Sequence, residues 1–391
     1  MNLPDQIMAE AEKISLEIPA GPRRGAVMVP RSKSHEHRLL IANFLAGESA
    51  AVLPRKEDNA DILATKRCLV ALAADTAEPI LDCGESGSTL RFLAPVAAAL
   101  GKRPRFIRRG RLAERPFREY SSLAPGVHEL AGDVSSQFVT GLLFALPLLA
   151  GDSEIRFTSP LESRGYVEMT LQVLRGAGIV VAETPSGFRV AGGQRYHAQS
   201  AAVEGDWSGA AFWYGMNALG SAIAIRGLDA NSAQPDRVIA GLSADLPTQI
   251  DVAQCPDIFP VLAVIAAGMP RTTTFTGVAR LRLKECDRLA AMREMLARLG
   301  IATELIAPDS ADASAAVERF LVHGTAEKFR GATVRTFSDH RIAMAAAVAA
   351  VRAAAPITID DAGCCAKSYP GFFEILAANP LILAPNQAAF T

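Results

Sequence analysis

The chain has 391 residues, half of them hydrophobic and 21% charged, with a formal net charge of −1. That length accommodates two or more domains with substantial cores, and the composition is ordinary for a soluble globular protein. Near-zero charge excludes a global basic field that would gather nucleic acid or acidic membrane, so any anion binding must be local.

The opening stretch, MNLPDQIMAEAEKISLEIPAG, is acidic and lacks the basic-then-apolar pattern of a secretory signal, so a cytoplasmic protein is expected. RSKSHEHRLLIANFLAG (31–47) then passes abruptly from small and polar residues into an apolar, helix-like run. The same change recurs at GESGSTLRFLAPVAAALG, GDVSSQFVTGLLFALPLLAG, EGDWSGAAFWYGMNALG, QCPDIFPVLAVIAAGM and FSDHRIAMAAAVAAV. These six occurrences lie roughly 50 to 80 residues apart, a range that marks internal repeats. Each begins with Ser, Asp or Gly where a helix cap belongs. Between them run strand-like segments, SEIRFTS, GIVVAE, GFRVAG and SAIAIRGL, and a further helix, DRLAAMREMLARLG. The pattern is α/β. Helix starts facing one cleft would aim free N–H groups and dipole ends into it and attract anions; capped helices pointing in unrelated directions are the alternative.

The apolar runs fall short of the ~20 residues that span a bilayer, so they read as buried helices and no membrane partner is expected. The six cysteines (Cys68, Cys83, Cys255, Cys286, Cys364, Cys365) form no C-x-x-C pair and no zinc-like spacing. Reduced thiols are expected. His35 and His37, two apart, would point to different sides of a helix and make no metal pair. No metal and no cofactor is expected.

Cations gather at the junctions. Lys33 and Arg38 flank the first, Arg91 follows the second, and RRGRLAERPFREY brings Arg108, Arg109, Arg111 and Arg115 together. RLRLKECDRL adds Lys284 and Arg288 around Glu285 and Asp287, SDHR adds Arg341, and CCAKSYPGF adds Lys367. Guanidinium forks and lysine point charges suit phosphate and carboxylate. The aromatics of a single-strand nucleic-acid binder do not interleave with them, and neither usual nucleotide cradle is present. Asp257, in CPDIFP, reads either as a helix cap or as a proton carrier beside this positive charge. Glu285 reads as a surface ion pair or as a proton carrier.

Taken in order, SKSHEHR, GSTLR, ERP, SSQF, KECDR, SDHRIAM and AKSYPGFFEIL resemble the 5-enolpyruvylshikimate-3-phosphate synthase family of enolpyruvyl transferases, over nearly the whole chain. The resemblance implies a two-domain inside-out α/β barrel of repeated βαβαββ units, with the active site in the interdomain cleft. One domain would comprise residues 24–227, the other 1–23 with 228–391. It implies transfer of the enolpyruvyl group of phosphoenolpyruvate to the 5-hydroxyl of shikimate-3-phosphate by addition and elimination, in a monomer. Asp257, Glu285 and Lys33 would be catalytic. Ser34, Arg38, Ser135, Ser136, Gln137, Ser163, Tyr166 and Lys284 would hold shikimate-3-phosphate. Lys33, Gly87, Arg111, Gln137, Arg288, Arg341 and Lys367 would surround phosphoenolpyruvate.

The chain departs from the family pattern at Arg31, at HEH (35–37), at Glu85 and Phe92, and at Arg280, where an amide is common. Relative to the family, residues are missing around 72–80, 121–132 and 238–250, where hairpins complete the units. His35, Glu36 and His37 are expected to support or flank the site. Three other readings stay open: transfer to UDP-N-acetylglucosamine, transfer to another cyclic alcohol, and a catalytically silent anion binder. The first fits poorly, because Ser34 stands where that enzyme has asparagine and RRGRLAERPF lacks a cysteine.

Overall fold

The computed structural model describes residues 13–48, 53–308 and 317–382. Its helices are α1 (Lys33–Leu45), α2 (Ala60–Ala73), α3 (Gly87–Ala99), α4 (Ser136–Ala145), α5 (Arg164–Gly176) and α6 (Trp207–Ala218). They continue with α7 (Ile239–Ala244), α8 (Phe259–Ala267), α9 (Arg288–Arg298), α10 (His340–Ala350) and α11 (Phe372–Ala378). The six junctions read from the sequence start α1, α3, α4, α6, α8 and α10. Five carry a side-chain cap, from Ser32, Ser86, Ser135, Asp206 and Asp339, each accepting an orphan N–H of the first turn. The start of α8 has none.

Two four-stranded sheets share one plan. In the first, Gly126–Ala131, Ser153–Ser159, Gly187–Val190 and Val181–Thr184 lie in that spatial order, the first pair parallel and the rest antiparallel. In the second, Gln249–Asp251, Thr272–Thr276, Arg319–His323 and Ala302–Ile306 repeat it. Each is a βαβαββ unit, with α4 and α5 in one and α8 and α9 in the other. Thr272–Thr276 buries Thr273 and Phe275 and turns its other side chains outward, the alternation of a sheet covered on one face. Elsewhere the sheets are smaller: Ile80–Gly84 with Arg105–Arg108, and Arg24–Met28 with Ala222–Arg226, are parallel pairs. Leu16–Ile18, Ile357–Ile359 and Thr333–Val334 make a three-stranded sheet. No closing hairpin follows the two-stranded pairs among the described residues, and the five sheets stay separate instead of closing into a barrel.

The helices fill the interior. Every residue of α8 and α10 is buried, so α8, and α10 beyond His340 and Arg341, are apolar all round instead of striped. Two apolar clusters result. One runs from Leu39 to Tyr196; the other joins Ile18 and Val27 to residues between Trp207 and Leu376. Two crossing segments bind each other between them: Ser32 N–H donates to Glu204 O (2.7 Å) and Asp206 N–H to Pro30 O (2.9 Å). The gap between the clusters thus falls near residue 205. Val27 and Ile223 sit on paired strands and pack into the second cluster. Among the described residues no helix is long and apolar enough to cross a membrane.

Candidate active site

The starts of α1, α3, α4, α5 and α10, with Asp257 before α8 and Lys284 and Glu285 before α9, meet in a cleft between the two clusters, whereas that of α6 does not line it. On the first wall, Ser32 caps α1 by accepting from His35 N–H, which leaves Lys33 and Ser34 at the mouth. Lys33 Nζ reaches Asp61 Oδ2 at 2.9 Å. One turn along, buried Arg38 donates from Nε to Thr170 Oγ1 (2.8 Å) and from Nη2 to Tyr166 O (2.8 Å), with its guanidinium carbon 5.2 Å from the Phe92 ring centre. Burial lowers its affinity for a proton, to a pKa of about 10, still charged at neutral pH.

Gly87 opens α3 with little room to spare: a Cβ there would stand 2.6 Å from Arg91 Nη1 and 3.3 Å from Arg115 Nη1, so a larger residue would displace those arginine ends. The space lets Arg91 donate to Gln137 Oε1 (2.7 Å), while Gln137 Nε2 donates to Ser88 Oγ (3.0 Å). Ser135 caps α4, and Ser136 and Gln137 line the cleft beside it. Ser163 has a left-handed backbone (φ 56°), a cost of order 1 kcal/mol or more for a non-glycine residue. Its hydroxyl donates across the cleft to Ala253 O at 3.1 Å.

The second wall is ionic. Arg288, 0% exposed, donates from Nη1 to Asp257 Oδ1 (3.0 Å), from Nη2 to Glu285 Oε2 (2.8 Å) and from Nε to Asp339 Oδ2 (2.8 Å). Asp257 also accepts from Arg341 Nη2 (3.1 Å) and Lys284 Nζ (3.2 Å). Burial alone would raise its carboxyl, but Arg341, Lys284 and Arg288 outweigh it and hold Asp257 well below the usual range. Glu285 follows the same logic: burial opposes, and Arg288, Arg115 and Lys367 prevail. Desolvation lowers Lys284 against the pull of Asp257. Asp257 is therefore no helix cap. The uncapped start of α8 leaves its carboxylate free for these cations.

Lys33, Ser34, Arg38, Gly87, Ser135, Ser136, Gln137, Ser163, Tyr166, Asp257, Lys284, Glu285 and Arg341 all line this one cleft. Arg111 and Lys367 lie in an adjoining hollow that Glu285 shares. There Arg111 donates to Arg282 O (2.7 Å), and Lys367 pairs with Glu85 (3.2 Å). Arg288 stands behind the acids, out of the lining. Three charged residues of the two walls escaped the sequence reading as site members. They are Asp61 and Asp339, which partner Lys33 and Arg288, and Arg115, 3.7 Å from Glu285. The D in SDHR was the available signal for Asp339. None of the unusual HEH residues lines the cleft. His37 shares a hydrogen bond with Thr65 Oγ1 (2.7 Å) and meets Phe92 edge-on, Glu36 pairs with Arg31 (3.1 Å), and His35 Nδ1 accepts from Glu204 N–H (3.3 Å). They brace α1 from behind.

Comparison with known proteins identifies the family. The family model for EPSP synthase (3-phosphoshikimate 1-carboxyvinyltransferase) matches residues 115–246 and 236–376. The 3-phosphoshikimate 1-carboxyvinyltransferase of Clostridium kluyveri is 37% identical, over 90% of this chain and 93% of its own. That of Methanocorpusculum labreanum is 35% identical over 90% and 94%. In fold, the chain is similar to the EPSP synthase of Acinetobacter baumannii (TM-score 0.69, 20% identity, 94% of this chain and 98% of that one). It is also similar to the enolpyruvyl transferase NikO of Streptomyces tendae (TM-score 0.65, 17% identity, 94% and 98%). With its motifs in order, its helix starts converging on one cationic cleft and relatives matched over nine-tenths of its length, the chain belongs to the EPSP synthase family.

Proposed function

We propose that this protein transfers the enolpyruvyl group of phosphoenolpyruvate to the 5-hydroxyl of shikimate-3-phosphate, releasing phosphate by addition and then elimination. The observation that carries the reading is the pair Asp257 and Glu285, held on two nitrogens of one buried arginine, facing a wall of anion-binding helix starts. Two polyanions must be brought together, and cations spread over both walls serve that end where the net charge of the chain does not.

In this reading Ser34, Arg38, the serines and Gln137 of α4, Ser163, Tyr166 and Lys284 seat shikimate-3-phosphate. Lys33, Arg111, Arg341 and Lys367 surround phosphoenolpyruvate at the Gly87 backbone, and Arg288 acts through the acids it holds. Asp257 takes the proton of the attacking hydroxyl. Glu285 delivers a proton to the methylene carbon during addition and takes one back from the methyl during elimination. Glu285 is ionised in the free protein, because three cations surround it. An anionic substrate on Arg115 and Lys367 would offset their charge and raise Glu285 toward the range a general acid needs. The paired crossings at 29–32 and 204–206 would serve as the hinge between the two walls.

A second reading, transfer to a different phosphorylated cyclic alcohol, draws on one observation. Arg280, where the family commonly has an amide, donates to Ser163 Oγ (2.8 Å) at the acceptor end of the cleft, with Glu162 against it. The test is incubation with both substrates, following phosphate release and product mass. Release with shikimate-3-phosphate is expected. Release with another cyclic alcohol alone would establish the second reading, and binding without release would leave a silent anion binder.

A further inference from the structure

One buried acid beside the site has no part in the chemistry above. Asp236, 0% exposed, lies in the 3-10 turn Pro235–Val238 that precedes α7. Its Oδ2 accepts from Ser208 Oγ and, at 3.1 Å, from the Tyr166 hydroxyl. The same hydroxyl stands 3.4 Å from Asp257 Oδ2. A tyrosine hydroxyl has one proton and can donate to one carboxylate at a time. Its oxygen then faces the other carboxylate as an acceptor. Asp236 Oδ1 has no partner among the described residues. A carboxylate oxygen buried without a partner is uncommon, and a catalytic role is one of the explanations for it.

We propose that Asp257, Tyr166 and Asp236 form a proton relay, in which Asp236 is the resting place for the acceptor's hydroxyl proton during the reaction proposed above. As the acceptor oxygen bonds to the enolpyruvyl carbon, its O–H bond breaks and the proton passes to Asp257. Asp257 Oδ2 gives that proton to the Tyr166 oxygen while Tyr166 gives its own to Asp236 Oδ2. Asp257 is again a carboxylate, Tyr166 again neutral, and Asp236 a neutral acid. In the elimination the steps reverse, and the proton leaves on the released phosphate, which balances the overall reaction.

The surroundings explain why the proton rests there. Asp236 faces Asp206 and Ser208 at the start of α6, Cys255 and Asp257 before α8, Tyr166 on α5 and Arg341 on α10. Burial, then the charge of Asp257, pushes Asp236 up to about 6, against the pull of Arg341. Asp257, crowded by three cations despite its burial, sits well below its usual range. A proton taken up at Asp257 is held poorly there and better one hydroxyl away. Because the two carboxyls share Tyr166, they titrate as a pair, and Asp236 is the member that accepts a proton first.

The test is the pH dependence of kcat, with both substrates saturating, in wild type, Asp236→Asn and Ser208→Ala. Wild-type kcat should fall as pH drops through about 6, because a protonated Asp236 can take no second proton. Asp236→Asn should lose about 100-fold in kcat at neutral pH, the low end of the range for an acid–base group. Its acceptor KM should stay within about threefold, and the acid limb near 6 should vanish. Ser208 does not line the cleft, and its hydroxyl favours the Asp236 anion, so Ser208→Ala should move the limb to higher pH. Should Asp236→Asn fail to fold, Ser208→Ala decides alone. An unchanged limb in either variant, or a loss confined to KM, overturns the relay. Wild-type protein that releases no phosphate overturns the functional reading instead. The relay is then read in the free protein by carboxyl carbon-13 NMR, where a group titrating near 6 must move up in Ser208→Ala; failure to move overturns it.

Discussion

Residues 126–190 and 249–323 fold into the same unit with the same strand order, yet their helix starts carry opposite chemistry. In the first, α4 opens with Ser135, Ser136 and Gln137, and α5 with Ser163 and, within its first turn, Tyr166. All are neutral. In the second, α8 follows Asp257, and α9 opens on Arg288 after Lys284 and Glu285. All are charged. The backbone fixes where side chains are presented, and the residues at those places fix what is done there. Hydroxyls and amides can hold an anion in one geometry without taking its protons. Acids balanced against cations can exchange protons, and their affinities respond when a substrate adds charge. The two units touch where the roles must be coordinated, at Ser163 with Ala253 O and at Tyr166 with Asp257.

The comparison breaks first at the charged unit. Glu285→Gln or Asp257→Asn should reduce kcat by about 10²–10⁴-fold while acceptor affinity changes far less, as general acid–base groups do. Phosphate-release rates and titration calorimetry on the same protein check both halves of that statement, and near-wild-type turnover would remove the assignment. Arg288→Ala should be almost as damaging and in another currency. It strands Asp257, Glu285 and Asp339 without their shared cation, at a cost of about 3–5 kcal/mol in urea unfolding.

A milder effect comes from two buried histidines, His37 behind the first wall and His340 lining the cleft. Burial lowers His37 on α1 and His340 at the start of α10, each to about 3. Below pH ~6.5 the unfolded chain binds protons that the fold refuses, so stability present above that value is lost as pH falls, by up to about 1.4 kcal/mol per pH unit for each. Asp236, raised to about 6, works in the opposite direction, because the fold binds its proton first. Urea unfolding at pH 7, 6 and 5 should show the net decline, and His37→Asn should lessen its slope. An unchanged slope would mean that His37 is charged in the fold.

What the sequence disclosed depended on whether a feature was local. Helix starts are written in adjacent residues, cap then apolar run, and all six emerged as helices. The start of α5 escaped that pattern, because Ser163 precedes it with a left-handed backbone and caps nothing. That of α9 was legible in DRLAAMREMLARLG, which opens on its cap Asp287. Asp257 was ambiguous because CPDIFP has the residues of a capped helix, and only the distant Arg341, Lys284 and Arg288 decide where its carboxylate goes. The changeover between the two cores leaves no local signal for a similar reason. Trp207–Ala218 is apolar enough for either core, and the pairing of Arg24–Met28 with Ala222–Arg226 bridges residues some two hundred apart. Ion pairs across the cleft, such as Lys367 with Glu85, leave no mark in a local window.

The neutral unit gives the smallest and most selective effect, at Ser136. Its hydroxyl has no hydrogen bond to protein among the described residues, although the residue is 7% exposed and lines the cleft. Ser135, its neighbour, is different, since its Oγ caps α4 by accepting from Gln137 N–H at 3.3 Å. Ser136→Ala should therefore leave the melting temperature unchanged, whereas Ser135→Ala should cost about 1 kcal/mol of stability through the lost cap. If the neutral unit only binds, Ser136→Ala forfeits one hydrogen bond to the acceptor, about 1 kcal/mol or roughly fivefold in its affinity. Its kcat at saturation and its pH profile should match wild type. A change in kcat without a change in acceptor affinity would mean that the serines of α4 act in the transition state, and the division of labour between the two units would be lost.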